Sequence, residues 1–138
     1  TKAGDGTLIL SGSQSYTGAT NVSGGTLEIG PTGLINSSSG VTISSGGSLA
    51  YNGSTALSTG VTFTSGTLGG TNWSGSLSGL TIGANQTISP GNSPGTANTG
   101  SQAWDTSGTY VWEINDADNT AGSDPGWDLL AGTGTLDI

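Results

Sequence analysis

A short uncharged phrase returns about every twenty residues along this chain. GVTISSGG begins at Gly40, GVTFTSG at Gly60 and GLTIG at Gly79. A second series runs beside it: GTLIL from Gly6, GTLEI from Gly25, GSLAY from Gly47, GTL from Gly66 and a closing GTLDI from Gly134. Gly40, Gly60 and Gly79 are 20 and 19 residues apart, while Leu8, Leu27, Leu49 and Leu68 are 19, 22 and 19 apart, with Ile88 twenty further on. A fixed period of this length means that each repeat is one structural unit stacked on the last, as in a solenoid. Within each copy the apolar residues alternate: Val41 with Ile43, Val61 with Phe63, Leu80 with Ile82, and in the other series Leu8 with Leu10, Leu27 with Ile29, Leu49 with Tyr51. Period two is the period of a strand with one buried face. The Gly, Ser, Thr and Asn between copies, including Asn52-Gly53, are turn formers.

Short strands, coils of about twenty residues and in-register apolar positions predict an all-β, right-handed parallel β-helix, a β-solenoid. Successive coils would rise by about 4.8 Å, the spacing of hydrogen-bonded strands. Inside, Leu would stack on Leu and Val, Ile and Phe on one another. The scarcity of charge, 7% of residues, fits this stacking, because an in-register column sets like charges directly over each other. In this register Leu27 is a core residue and Thr20 a surface one. The alternative architecture is a β-sandwich, which also uses many short strands but has no need for them to resemble one another. Disorder, which Gly-rich and Ser-rich composition would otherwise suggest, predicts no period.

Charge restricts the partners. Nine carboxylates face a single cation, Lys2, with no Arg and no His, for a formal net charge of -8. Nothing here can neutralise phosphates, so nucleic acid is not an expected partner, nor is an anionic membrane surface. No apolar run reaches the length of a membrane-spanning helix. Without Cys there are no disulfides, no zinc–thiolate sites and no thiol chemistry. The absence of Met implies a segment of a longer gene product or a processed one.

Residues 4–30, GDGTLILSGSQSYTGATNVSGGTLEIG, carry the order G-T-L-x-L-S-G, then Y-T-G-x-T, then V-x-G-G-T-L-x-x-G. This resembles the autotransporter-associated β-strand repeat of bacterial secreted passenger domains. The likeness loosens from Pro31 to about Pro90, and the final third does not match. The resemblance implies a parallel β-helix exported to the bacterial cell surface or beyond, in which the repeat is a scaffold or stalk and not the place of chemistry.

Residues 1–90 thus read as the β-solenoid repeat region, and residues 91–138 as a wider, Trp-rich, acidic β section that continues or caps it. The phrase SPGNSPG marks the boundary. TYVWEI from Thr109 reads as a longer strand and WDLL from Trp127 as its partner, with GTLDI returning to the repeat. Asp116, Asp118, Asn119 and Asp124, with Asp128 just beyond, offer hard oxygen ligands at short spacings and form a candidate Ca²⁺ site. The spacing is not that of an EF-hand, and an acidic solvated turn is the plainer reading. Trp73 and Trp104 are candidate glycan contacts, and packing is the plainer role for Trp here.

Catalysis finds little support in these residues. A glycoside hydrolase needs two carboxylates roughly 5–10 Å apart across a cleft, which only the Asp116–Asp128 group could supply. Ser is abundant, but no His is present to activate it. Five N-x-S/T sequons, at Asn21, Asn36, Asn52, Asn72 and Asn85, are no surprise in so Ser-rich and Thr-rich a chain. The expected function is therefore a stalk segment of a large secreted or surface-anchored repeat protein, adhesin-like. The alternative is an extracellular filament subunit, joined to identical subunits through its end strands. A glycan-binding module is the third reading. Expected partners are neighbouring repeats or copies of the chain, and surface glycans.

Overall fold

In a computed structural model, which describes residues 1–70, 80–91 and 94–138, the chain is all β and coils as a solenoid of about five turns. The first coil holds β1 (Thr7–Leu10) and β2 (Thr20–Val22), and the second β3 (Thr26–Ile29) and β4 (Val41–Ile43). The third holds β5 (Ser48–Tyr51) and β6 (Val61–Phe63), and the fourth β7 (Gly66–Gly70) and β8 (Leu80–Ile82). Next come β9 (Gln86–Pro90), β10 (Thr96–Thr99) and β11 (Gln102–Trp104). The last coil carries β12 (Thr109–Tyr110), β13 (Thr120–Ala121), β14 (Gly126–Trp127), β15 (Leu129–Gly132) and β16 (Leu136–Asp137). One side of the column is a six-stranded parallel sheet, β1-β3-β5-β7-β9-β12. A second side is made by β2-β4-β6 and then by β8-β11-β16. The third side is looser in the early coils, where a parallel bridge joins Ser13 to Leu34, and becomes regular where β10 pairs β15.

The register is the one that the repeats predict. Leu8 pairs with Leu27, Leu27 with Leu49, Leu49 with Leu68, Leu68 with Ile88 and Ile88 with Tyr110. On the second side Thr20, Val41 and Val61 form one file, and Val22, Ile43 and Phe63 another. Leu27, Leu49, Leu68 and Ile88 are buried, with Ile35 and Leu57 closing the core from the third side. Each such side chain contributes about 1.5–3 kcal/mol of hydrophobic stabilisation. Corners are tight enough to require Gly. Gly66 lies at φ +110°, and a Cβ there would run into the carbonyl oxygen of Gly47 in the coil before it. On the third side Asn36 replaces missing ladder bonds: its amide donates to Ala56 O (3.0 Å) and accepts from Ser58 N (3.0 Å).

Two positions differ from the sequence expectation. Thr20 is buried, its hydroxyl bonded to Tyr16 OH (2.7 Å) and Ser38 Oγ (2.9 Å). Period two places it on the same face as Val22, so Asn21 is the exposed member of that strand. The TYVWEI strand is shorter than expected. Only Thr109–Tyr110 joins the sheet, and Trp127 meets Ile114 through a single antiparallel bridge, while Leu129 and Leu130 of WDLL pair with Thr96 and Ala97. GTLDI does return to the repeat, but on the second side, where Leu136 pairs with Gln102, and not on the Leu file.

The lone cation is inside the fold. Lys2 forms a parallel bridge with Val22, and its Nζ donates to Gly4 O (2.7 Å) and Gly24 O (2.9 Å). Outward on the six-stranded side, Thr7, Thr26, Ser48, Thr67, Thr87 and Thr109 lie in one file, a hydroxyl on every coil. Among the described residues the exposed large apolar side chains belong to the first and last coils: Leu8, Ile9 and Tyr16 at one end, and Tyr110, Val111, Trp112, Ile114, Leu129, Leu136 and Ile138 at the other. Between the ends the apolar surface is covered by the coils above and below.

Candidate functional site

The last coil is the irregular one. From the first to the third side, the coil before it takes nine residues, Thr87 to Thr96, whereas the last coil takes twenty, Thr109 to Leu129. Eleven extra residues therefore leave the column at one corner, while the strands on both sides of that corner stay in register. The excursion contains β13 and β14, which pair Thr120 with Gly126 and Ala121 with Trp127. It leans back along the flank: Thr96 Oγ1, one coil below, donates to Gly122 O (3.3 Å).

Asp128 fastens this excursion to the column. Its carboxylate is buried, with Oδ1 accepting from Gly95 N (2.9 Å) and Oδ2 from Glu113 N (2.9 Å). The Asp128 main chain also accepts from Trp112 Nε1 (2.9 Å) and donates to Glu113 O (2.9 Å). A buried carboxylate is tolerable when both oxygens receive such charge-assisted bonds. One carboxylate thus ties the start of the excursion to the preceding coil. The Asp128 charge also reaches Tyr110, whose hydroxyl is pushed up to about 12, first by burial and second by that carboxylate. Burial raises the Tyr51 hydroxyl as well. In the unfolded chain a Tyr ionises near 10. Between about pH 10 and 12 the unfolded state therefore gives up protons that the folded state keeps, and stability falls as pH rises through that window. Thermal melts across it should show the fall, and Tyr110→Phe should flatten it. An identical slope in the variant would assign the alkaline loss to other groups.

The acidic residues grouped by sequence are not brought together as a set. Asp128 faces inward, engaged with Gly95 and Glu113 as described, and so stands apart from the exposed loop. In the loop, Asp116 Oδ1 accepts from Asp118 N (3.0 Å), Asn119 Oδ1 from Thr120 N (2.9 Å), and Asp124 Oδ1 from Asn115 Nδ2 (3.0 Å). These are local turn-forming bonds. Among the described residues no three Asp, Glu, His or Cys side chains form a group that could hold a metal ion. Trp73 lies outside the described residues. Trp104 is half-buried, its Nε1 donating to Gln102 Oε1 (3.1 Å) and its ring set edge-on to Tyr110 at 6.2 Å. The more exposed indole is Trp112, at 52%. Sequence reading missed both Trp112 and the Asp128 clip. The signal for the latter was an acid set directly between Trp127 and the apolar pair Leu129-Leu130.

The opposite end of the column carries the first coil. There Gly6-Thr7-Leu8 enters β1, Tyr16-Thr17-Gly18 runs along the third side, and Val22 to Leu27 turns from β2 into β3 through Gly24-Gly25. Residues 1–29 match the passenger-associated-transport-repeat family. No curated protein and no solved structure matches the chain. The passenger-associated-transport-repeat match ends at Ile29, the last residue of β3, so it takes in one full coil and the first strand of the next. That is the smallest piece in which the Leu file exists as a pair, Leu8 on Leu27. Beyond the matched repeat the same register runs on through β12.

Proposed function

We propose that this chain is a structural segment of a secreted or surface-exposed passenger protein, a stalk that holds other parts of that protein at a distance, with no catalysis of its own. The observation that carries the reading is the unbroken parallel file from Leu8 to Tyr110. A stack of this kind gains length by adding coils and stability from the contact between neighbouring coils. The passenger-associated-transport-repeat match supports export and surface exposure. An adhesive role for the parent protein fits the same reading.

The filament alternative meets an obstacle in the end geometry. Both residues 2–3, through the Lys2–Val22 bridge, and β16 lie on the second side of the column. If a second copy set its β1 directly on β12, its residues 2–3 would fall where β16 already sits. Copies can join in register only if one of these strands is displaced. The glycan reading loses Trp104 as a free platform, since its N–H and ring are already engaged.

The stalk reading is tested by lengthening the column. A second copy of residues 26–47, one complete coil, inserted before Ser48 should keep every file in register, because Thr26 pairs with Ser48. The longer chain is expected to fold, to gain about 4.8 Å in length by small-angle scattering, and to melt at a higher temperature. Its mass by light scattering should stay monomeric over a hundredfold range of concentration. Failure to fold would sink the coil as the unit of construction, and mass rising with concentration would favour end-to-end assembly instead.

A further inference from the structure

We infer that the edge from Val111 to Asn115 is a docking site for an extended, positively charged segment of another protein, which adds there as a strand. Along this stretch the backbone donors alternate. Val111 N bonds to Ile88 O (2.9 Å), Glu113 N to Asp128 Oδ2 (2.9 Å) and Asn115 N to Gly126 O (2.8 Å). Those three N–H groups bind to the column and to the returning strand. The two between them, on Trp112 and Ile114, meet no partner among the described residues. An extended chain turns successive N–H groups to opposite edges, so the second edge of this segment is open. It is also rigidly held, because the Asp128 clip and the Trp112 Nε1 bond fix its course.

Side chains define the occupant. Val111, Trp112 and Ile114 are exposed and offer apolar contact along the edge. Glu113 lies within the stretch, and Asp116, Asp118 and Asp124 gather at its Asn115 end, where Asp124 Oδ1 accepts from Asn115 Nδ2 (3.0 Å) and Asp116 Oδ1 from Asp118 N (3.0 Å), with no Lys or Arg nearby in sequence. A second copy of this chain is a poor occupant, since its lone cation, Lys2, is committed to carbonyl oxygens at the far end of the column. A strand that alternates Lys or Arg with β-branched residues satisfies all three features. Its backbone pairs with Trp112 and Ile114, its apolar residues cover the exposed side chains, and its charges meet the acids. Backbone pairing supplies affinity in such strand addition and the side chains supply selectivity.

The test uses the 138-residue chain and three labelled eight-residue peptides, read by fluorescence anisotropy. The first alternates Lys and Val, the second alternates Glu and Val, and the third is the Lys–Val peptide with every backbone nitrogen methylated, so that neither edge of the strand keeps a donor. The Lys–Val peptide is expected to bind saturably and to weaken as salt rises, because exposed charges are screened. The Glu–Val peptide should not bind, and the methylated one should bind about tenfold more weakly or worse, having lost its strand donors. Ile114→Lys should reduce affinity by a similar factor, with an unchanged circular-dichroism melt showing that the fold is kept. Asp116→Asn with Asp118→Asn should lower both the affinity and its salt dependence. No binding by the Lys–Val peptide overturns the proposal. Equal binding by the methylated peptide, or by Ile114→Lys, overturns it too, since attraction to the acidic surface alone would then suffice.

Discussion

Leu68→Asp should abolish the cooperative melting transition of this protein. Leu68 is fully buried, stacked between Leu49 and Ile88 in the middle of the column. An Asp there would lose about 1.5–3 kcal/mol of burial. It would also place an uncompensated carboxylate in the core, at an effective cost of several kcal/mol more. Against a stability of roughly 5–15 kcal/mol for a domain, that is most or all of the total. The adjacent Thr67 points outward in the hydroxyl file, so Thr67→Asp should cost less than about 1 kcal/mol. Leu27→Asp should also be severe, though Leu27 has only the exposed Leu8 below it. Melting by circular dichroism ranks the three, and equal effects of Leu68→Asp and Thr67→Asp would refute the register.

Asp128→Ala should have the second largest effect, confined to one region. The change strands the buried amide of Gly95 and the part-buried amide of Glu113, which now give their bonds to the two carboxylate oxygens. Each unsatisfied group costs about 1–3 kcal/mol. The column below does not depend on those bonds, whereas the excursion does. Hydrogen exchange at Gly95 and Glu113 should therefore accelerate roughly tenfold to a hundredfold, with proteolytic cleavage appearing between residues 111 and 127. Exchange within β3, β5 and β7 should stay slow. Asp128→Asn, which keeps one acceptor, should fall between the two. If the two amides exchange at the wild-type rate in Asp128→Ala, the clip does not hold the loop.

The column was legible in the sequence because its information is local and repeated. Leu8, Leu27, Leu49, Leu68 and Ile88 announce one file by spacing alone, and the structure pairs each with the next. Thr20 was misplaced despite the same rule, because its polarity suggested solvent. The fold satisfies it inside instead, through the hydroxyls of Tyr16 and Ser38. The flank of the last coil was harder to read because it occurs once. Asp128 looked like a loop acid, since nothing in its neighbours reveals that Gly95, 33 residues earlier in the chain, lies beside it. Closeness between sides of a column becomes visible only after the coil is closed.

The eleven-residue excursion at the last corner has a consequence for how such proteins can diversify. It is entered and left without any change of register on the strands that flank it. The corner therefore behaves as a socket: the chain can exchange what protrudes there while the register of the stack stays intact. For engineering, the sequence between Tyr110 and Leu129 is the place to graft a foreign loop, provided that the graft brings a carboxylate to meet the amide of Gly95. A lineage of these columns could carry different protrusions at different heights, each displayed at an interval set by the rise of a coil.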